Sequence, residues 1–437
     1  MSSSDEVEPQ GSSLRSNVLT ALPVAVAGML ANGANIIVTI LLARLLTTQG
    51  YGAYAQLVGL FLIISMPGSA IIVAVVRRTA MWKTAGGDVA LVEWAAKMHG
   101  RMNWFLGIWI VVVLGVSYPV AHLLAKPSPV AVAAMLAGAG AWVLVCVDRG
   151  FLQGTRSYRA LSTNLLIEGG VRTVAVLALA AVFKLPGAAL GILVAEVAAA
   201  IQARRASERA LMPEAGAVDQ ASPPRIRRDL VVDLIAALFA LALMAWLQNV
   251  DVILLGHANP GESGSYAAVS VVCKGLVFAA IVLGSYLLPE AAISYHEGTH
   301  ALRQLGATFA MLAVPAVALV VVAAVMPGQL IRLVFGARYL GAQSAFLPLA
   351  VAMVLFSITV ILSMYLLAHG QRWVVVILAL GAIAATGAIW AAHGSPADTA
   401  RNDLGVQAVL AVAAGVGLLV AHRRLHGLPS PLVEPEG

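Results

Sequence analysis

The feature that most limits what this chain can fold into is a series of apolar runs, each about 20 residues long. Residues 57–76 have the sequence LVGLFLIISMPGSAIIVAVV, without one charged side chain. A helix that crosses the hydrocarbon core of a bilayer needs about 20 such residues. Across the chain 60% of the residues are apolar and only 11% are charged, whereas soluble domains have about 45–50% and about 25%. The solvent around the folded chain is therefore lipid.

Twelve runs of this kind predict an all-α integral membrane protein with about 12 transmembrane helices. The runs are 18–43, 53–76, 102–125, 129–150, 161–183, 187–203, 231–255, 265–289, 304–326, 344–368, 373–392 and 404–421. Together they take up more than half of the chain. The connectors between them are too short to form a sizeable soluble domain.

The Lys and Arg residues are distributed unevenly among the connectors. We place the N-terminus inside, number the connectors alternately and count Arg149, at the end of the run 129–150, with the inside connector that follows it. Of the 27 Lys and Arg residues, 19 then fall inside, 6 fall outside and 2 lie within spans. The positive-inside rule then predicts a multi-pass membrane protein with both termini cytoplasmic. The net charge of +6 is explained by this topology. Binding of nucleic acid would need a basic patch on a soluble face, so we expect no nucleic-acid partner.

The two halves of the chain are similar to each other. GAYAQL at 52–57 matches GSYAAV at 264–269, and the long polar connector 204–230 lies between the halves. Two six-helix halves of the same orientation form a parallel repeat. We therefore predict two pseudo-repeated six-helix lobes around a central cavity. The predicted boundaries are a disordered cytoplasmic tail over 1–16, an N-terminal lobe over 17–203, a cytoplasmic linker over 204–230, a C-terminal lobe over 231–422 and a cytoplasmic tail over 423–437.

Three segments resemble the polysaccharide exporters of the multidrug/oligosaccharidyl-lipid/polysaccharide flippase superfamily. ARLLTTQGYGAYAQL (43–57) is similar to the end of their first helix and the start of their second, and QNVDVILLGHANPGESGSYAAV (248–269) to the matching segment of their second half. LIRLVFGARYLGAQSAFLPLA (330–350) is similar to one of their outside stretches. The chain departs from the family in being short and in having a long, basic linker.

The resemblance implies a transporter that flips a lipid-linked oligosaccharide of the polyprenyl-pyrophosphate type across the cytoplasmic membrane. Such a flippase lies in a bacterial cytoplasmic membrane, works by alternating access and serves cell-surface polysaccharide biosynthesis. No chemical bond changes, so the resemblance implies no enzyme activity, no catalytic residue, no metal and no cofactor. The expected partners are the lipid-linked glycan substrate and membrane lipids, and we expect a monomer. Whether a coupling ion takes part stays open.

Charged side chains within apolar spans are costly unless they are paired or hydrated, so they are the first candidates for a binding site. Glu168 and Arg172 lie four residues apart on one helix face. They form either a self-neutralised structural pair or a site where Arg172 meets a substrate phosphate. Lys274 has no acidic residue on its own helical turns, which favours a hydrated cavity. Glu196, a lone acid in the sixth span, either binds a coupling ion or is protonated.

A second set of candidates is polar and lies in the first and seventh spans. These side chains would either hydrogen-bond sugar hydroxyls or hold neighbouring helices together, and an arginine at the outer end of the first span would reach either substrate or lipid headgroups. The set is Asn32, Asn35, Arg44, Gln248, Asn249 and Asp251.

Two other functions compete with the flippase. A cation-coupled exporter of drugs or other small molecules, from the same superfamily, would favour acidic cavity residues. An intramembrane zinc protease is suggested by His296, Glu297 and His300, which match the H-E-x-x-H motif. That motif falls in a predicted cytoplasmic connector without a third zinc ligand, so the protease is the remote alternative.

Overall fold

A computed structural model describes residues 11–124, 127–212, 228–297 and 301–426, and its side chains are described within 26–124, 127–212, 232–283 and 305–421. Every regular element in these ranges is a helix, which confirms the predicted all-α fold. The helices are α1 (Gly11–Leu45), α2 (Thr48–Ser65), α3 (Gly68–Thr84), α4 (Asp88–Leu123), α5 (Pro129–Gly154), α6 (Tyr158–Ala210), α7 (Arg228–Ala258), α8 (Ser263–Glu297), α9 (Ala301–Val325), α10 (Pro327–Val334), a 3₁₀ helix (Ala337–Ala345), α11 (Phe346–Ala368), α12 (Val374–Trp390) and α13 (Pro396–His426).

Within the described ranges, ten segments are long and apolar enough to cross a membrane. One of them is α6, whose 53 residues are interrupted at Lys184 by a non-helical backbone (φ 55°, ψ −129°). The interruption falls between the predicted spans 161–183 and 187–203. With both parts of α6 and the shorter apolar helix α12, the twelve predicted segments are all accounted for by helices.

Many large apolar side chains on the outside of these helices have no protein neighbour to cover them. Val111 on α4 is 69% exposed, and Val314 on α9 is 75% exposed. Surfaces of this kind are rare on soluble monomers. Their presence fits helices that are surrounded by lipid.

The chain divides into two compact units, which we call unit 1 and unit 2. Unit 1 contains α1 as far as Leu41, the segment Ile71–Gly115 and the chain from Ala133 through α6. Its α5 packs closely on α3, because Gly150 and Gly154 bring the backbone of α5 against the side chains of Val75 and Thr79. These glycines allow the close approach of α5 to α3.

Unit 2 contains the chain from Leu42 to Ala70, the segment Val116–Val132, and α7 to α13. Its core joins α8, α9, α11 and α13 through Leu276, Leu312, Ile361 and Ala414. Nearly the whole circumference of α11 is buried. Charged side chains of three neighbouring helices are also buried in this unit: Asp251 of α7, Lys274 of α8 and Asp403 of α13.

The repeated Gly-x-Tyr-Ala motif marks a helix crossing inside unit 2. A Cβ atom on Gly52 would lie 2.0 Å from Ser263 Oγ and 2.6 Å from the backbone nitrogen of Gly264. A Cβ atom on Gly264 would lie 2.0 Å from the carbonyl oxygen of Thr48. The first turns of α2 and α8 thus touch through backbone at these two glycines, and this contact explains why both copies of the motif begin with glycine.

Candidate functional site

Unit 1 contains a buried network of two arginines, two glutamates and an asparagine, which we call the unit 1 charge cluster (Arg149, Asn164, Glu168, Arg172 and Glu196). Arg172 Nη2 donates to Glu168 Oε1 at 2.5 Å, one helical turn away on α6. The same Nη2 also donates to Glu196 Oε1, beyond the break in α6. Glu196 is therefore not the lone acid that the sequence suggested, because the break at Lys184 folds its helix back beside Arg172.

Arg149 of α5 is the member of the cluster that sequence reasoning missed. Arg149 lies near the end of a predicted span and was assigned to a cytoplasmic connector, yet its side chain is buried. Its Nη2 donates to Glu168 Oε2, and its Nε donates to Asn164 Oδ1 at 2.7 Å. Asn164 in turn donates to the Ala199 carbonyl at 2.8 Å. These bonds join α5 to both parts of α6.

The charges of the unit 1 charge cluster balance, with two arginines against two glutamates. Burying a charge is costly unless it is paired and hydrogen-bonded, and Glu168 meets this requirement through both arginines. The second carboxylate oxygen of Glu196 has no hydrogen-bond partner among the described residues. Arg172 is the most accessible member, with 21% of its side chain exposed. The Arg172–Glu196 contact thus joins the most accessible member of the cluster to a fully buried glutamate.

Unit 2 contains a second network, the unit 2 charge cluster (Asp251, Tyr266, Ser270, Lys274, Asp403 and Gln407). Asp251 of α7 accepts a hydrogen bond from Lys274 Nζ at 2.9 Å and bonds from Tyr266 at 3.1 Å and Ser270 at 3.3 Å. The three donors lie four residues apart along α8 and so share one face. Lys274 is buried and paired. Its partner, Asp251, lies on α7, so the residues on the neighbouring turns of α8 gave no sign of this pairing.

Asp403 and Gln407 of α13 were also missed: Asp403 lies one residue before the predicted span 404–421, and Gln407 is an uncharged residue within that span. Both side chains are fully buried, and Gln407 Nε2 donates to Asp403 Oδ1 at 3.0 Å. Asp403 Oδ2 has no partner among the described residues. Asp403 interacts electrostatically with Asp251 and Lys274. The unit 2 charge cluster therefore has two carboxyl groups for one ammonium group.

The remaining polar candidates of α7 and α1 differ in their surroundings. Gln248 and Asn249 are buried in unit 2, and Asn249 Nδ2 donates to the Ala245 carbonyl at 2.8 Å in its own helix. Asn32 and Asn35 of α1 belong to unit 1 and are exposed. Only Asp251, of the predicted polar set, takes part in a charge cluster.

Arg44 has a structural partner at the end of α10. Its Nη2 donates to the carbonyl oxygens of Leu333 and Val334, at 3.3 and 3.4 Å. Arg338 and Tyr339 donate in the other direction, to the carbonyl of Ala43. These hydrogen bonds hold the end of α1 against the segment that follows α9. Arg44 therefore has a structural role in this contact.

The H-E-x-x-H motif falls mostly outside the described residues. His296 and Glu297 end α8, while 298–300 lie outside the described ranges, and the side chains of 284–304 are not described. The zinc-protease alternative is therefore untested by the structure.

Comparison with known proteins gives similarity of structure only. No family model and no curated protein matches the sequence. An inward-facing multidrug resistance MATE family transporter of the MOP superfamily matches with a TM-score of 0.72 and 14% identity, over 94% of this chain and 100% of that chain. A MOP superfamily transporter from Pyrococcus furiosus matches with a TM-score of 0.63 and 15% identity, over 93% and 95%. The lipid II flippase MurJ, in an inward closed conformation, matches with a TM-score of 0.62 and 10% identity, over 92% and 87%.

The chain has the fold of these transporters. Two of these neighbours are transporters of the MOP superfamily, which is the superfamily that the sequence resemblance named. What they share with this chain is the fold. Both drug-transporter and lipid-flippase structures are among them. At identities of 10–15% the fold does not distinguish a polysaccharide exporter from the other members.

Proposed function

We propose that the chain is a membrane transporter that flips a lipid-linked oligosaccharide of the polyprenyl-pyrophosphate type across the cytoplasmic membrane by alternating access. The observation that carries this proposal is Arg172, a partly exposed guanidinium held between Glu168 and Glu196 within the apolar helices of unit 1. Guanidinium and phosphate form short, charge-assisted hydrogen bonds of matching geometry. An anionic headgroup is therefore the ligand that this arrangement suits.

Binding of the headgroup would proceed by exchange of partners on Arg172. A substrate phosphate takes the place of Glu196, while Glu168 stays bound to Arg149 and holds Arg172 in position. Glu196 is then a buried carboxylate without a partner, which is costly unless it takes up a proton. Headgroup binding and proton uptake are linked in this way. Lys274, in unit 2, would either contact the substrate or contribute to the coupling of transport to an ion.

The test is flipping of a fluorescent polyprenyl-pyrophosphate oligosaccharide by the purified protein in liposomes, measured as the fraction that a reagent outside the vesicle can reach. Arg172→Gln should slow flipping about tenfold or more, since one charged hydrogen bond is lost. Lys274→Met should also slow it. Arg401→Gln, at a 68% exposed arginine, is the matched control and should flip at the wild-type rate. Wild-type flipping by Arg172→Gln would exclude the proposed role of Arg172.

A second candidate, a cation-coupled exporter of small molecules, is favoured by the unit 2 charge cluster. Its two aspartates and one lysine leave one carboxyl group that a proton or another cation can neutralise. If this function is the right one, Asp403→Asn should abolish efflux of a cationic dye driven by a proton or sodium gradient. Arg172→Gln should then leave dye efflux unchanged, and the wild-type protein should not flip the glycan lipid.

A further inference from the structure

Unit 1 contains a polar cavity of about 250 Å³ between α4, α5 and the second part of α6. His99, Asn103, Asp148 and Arg204 supply its polar lining, and apolar side chains supply the rest. None of these residues belongs to the unit 1 charge cluster. Pockets for drug-sized ligands begin at about 300 Å³, so the cavity fits a small headgroup and excludes an oligosaccharide.

The cavity offers one anionic and one cationic group that still have bonding capacity. Asp148 Oδ1 contacts His99 Nε2 at 2.9 Å and accepts a hydrogen bond from Ser207 Oγ at 2.5 Å. Within the described part of the chain, no hydrogen bond uses Oδ2 of Asp148. Arg204 donates through Nε to Glu208 at 2.5 Å, and its Nη groups have no acceptor in the described ranges. The cavity therefore presents a carboxylate oxygen and guanidinium donors to the same ligand.

The cavity also lies near helix ends, and we place the lipid headgroups at this level. Asp148 and Arg204 are each six residues from the end of their helix, at Gly154 and Ala210, which is about 9 Å along the axis. Towards the middle of the spans, α4 and α6 expose large apolar side chains, among them Trp104 at 74% and Ile201 at 49%. A ligand in the cavity can thus have acyl chains that follow these exposed faces.

From this arrangement we infer that the cavity binds a phospholipid with a zwitterionic phosphoethanolamine headgroup. Its primary ammonium donates to Asp148 Oδ2, and its phosphate accepts from Arg204 and Asn103. A choline headgroup has no N–H to donate and is usually held by an aromatic cage, whereas no Phe, Tyr or Trp lines this cavity. A headgroup without an ammonium group brings no positive charge to Oδ2 of Asp148.

The experiment measures binding of phosphatidylethanolamine, phosphatidylglycerol and phosphatidylcholine to the delipidated full-length protein by native mass spectrometry. Phosphatidylethanolamine should bind in preference to the other two. Arg204→Gln should weaken its binding about tenfold, the loss of one charged hydrogen bond, and Asn103→Ala should weaken it less. Arg205→Gln removes the same charge from the adjacent, exposed position and should bind like the wild type.

Several results would overturn this inference. One is equal binding of the three lipids, and another is equal loss in Arg204→Gln and Arg205→Gln, which would indicate charge at the membrane surface only. Competition by soluble glycerophosphoethanolamine at the concentration at which the lipid itself competes would assign the cavity to a free phosphoamine.

Discussion

At the scale of single residues, Glu168 depends on two arginines from different helices. Arg149→Met removes one of them and leaves a buried carboxylate with Arg172 alone. Breaking a buried ion pair from one side costs about 3–5 kcal/mol, whereas replacing both partners by apolar residues is often neutral. We therefore expect Arg149→Met to lower the thermal unfolding midpoint in detergent clearly, and the double variant Arg149→Met with Glu168→Met to recover much of the loss. Arg205→Met, at an exposed site, is the control. A double variant less stable than the single one would contradict the pairing.

Only part of the two charge clusters could be predicted from the sequence. The predictable part consists of residues that are close together along the chain. Glu168 and Arg172 lie one turn apart on a single helix, so their spacing alone placed them together. Arg149 and Asp403 reach their partners from other helices, and only packing brings them there. Glu196 lies 24 residues from Arg172 along the chain and meets it because the backbone reverses at Lys184. The gap between the predicted spans 161–183 and 187–203 marks this break, but it does not indicate that Glu196 pairs with Arg172.

At the scale of helices, the crossing of α2 and α8 leaves no room for a side chain at Gly52. Gly52→Val would place a branched side chain where Ser263 Oγ and the backbone of Gly264 already lie. We expect the yield of folded Gly52→Val protein from the membrane to fall to a small fraction of the wild-type yield. Size-exclusion chromatography of the detergent extract measures this yield. Gly28→Ala on α1, where a Cβ meets nothing within 4 Å, is the matched control and should be stabilised by up to about 1 kcal/mol. Equal yields of the two variants would contradict the close crossing.

Apolar runs predicted which helices exist better than where each one ends. The run at 102–125 corresponds to α4, which starts 14 residues earlier, at Asp88. The extra turns carry Glu93, Lys97 and Arg101, so they lack the apolar signal although they are helical. A run of apolar residues marks the part of a helix that lipid surrounds. The helix itself continues beyond that part through polar residues. The same reason explains why α6 continues to Ala210, into the predicted linker.

At the scale of the whole molecule, the charge bias between the connectors predicts the orientation of every span. Lys83 belongs to the predicted inside set and Arg401 to the outside set. Lys83→Cys and Arg401→Cys place thiols at sites where 37% and 68% of the native side chain is exposed. The two natural cysteines, Cys146 and Cys273, are buried, so they should contribute little background. A membrane-impermeant maleimide should label Arg401→Cys in intact cells and Lys83→Cys only after permeabilisation. The reverse pattern would invert the topology, and labelling of both in intact cells would mean that the number of spans between them is even.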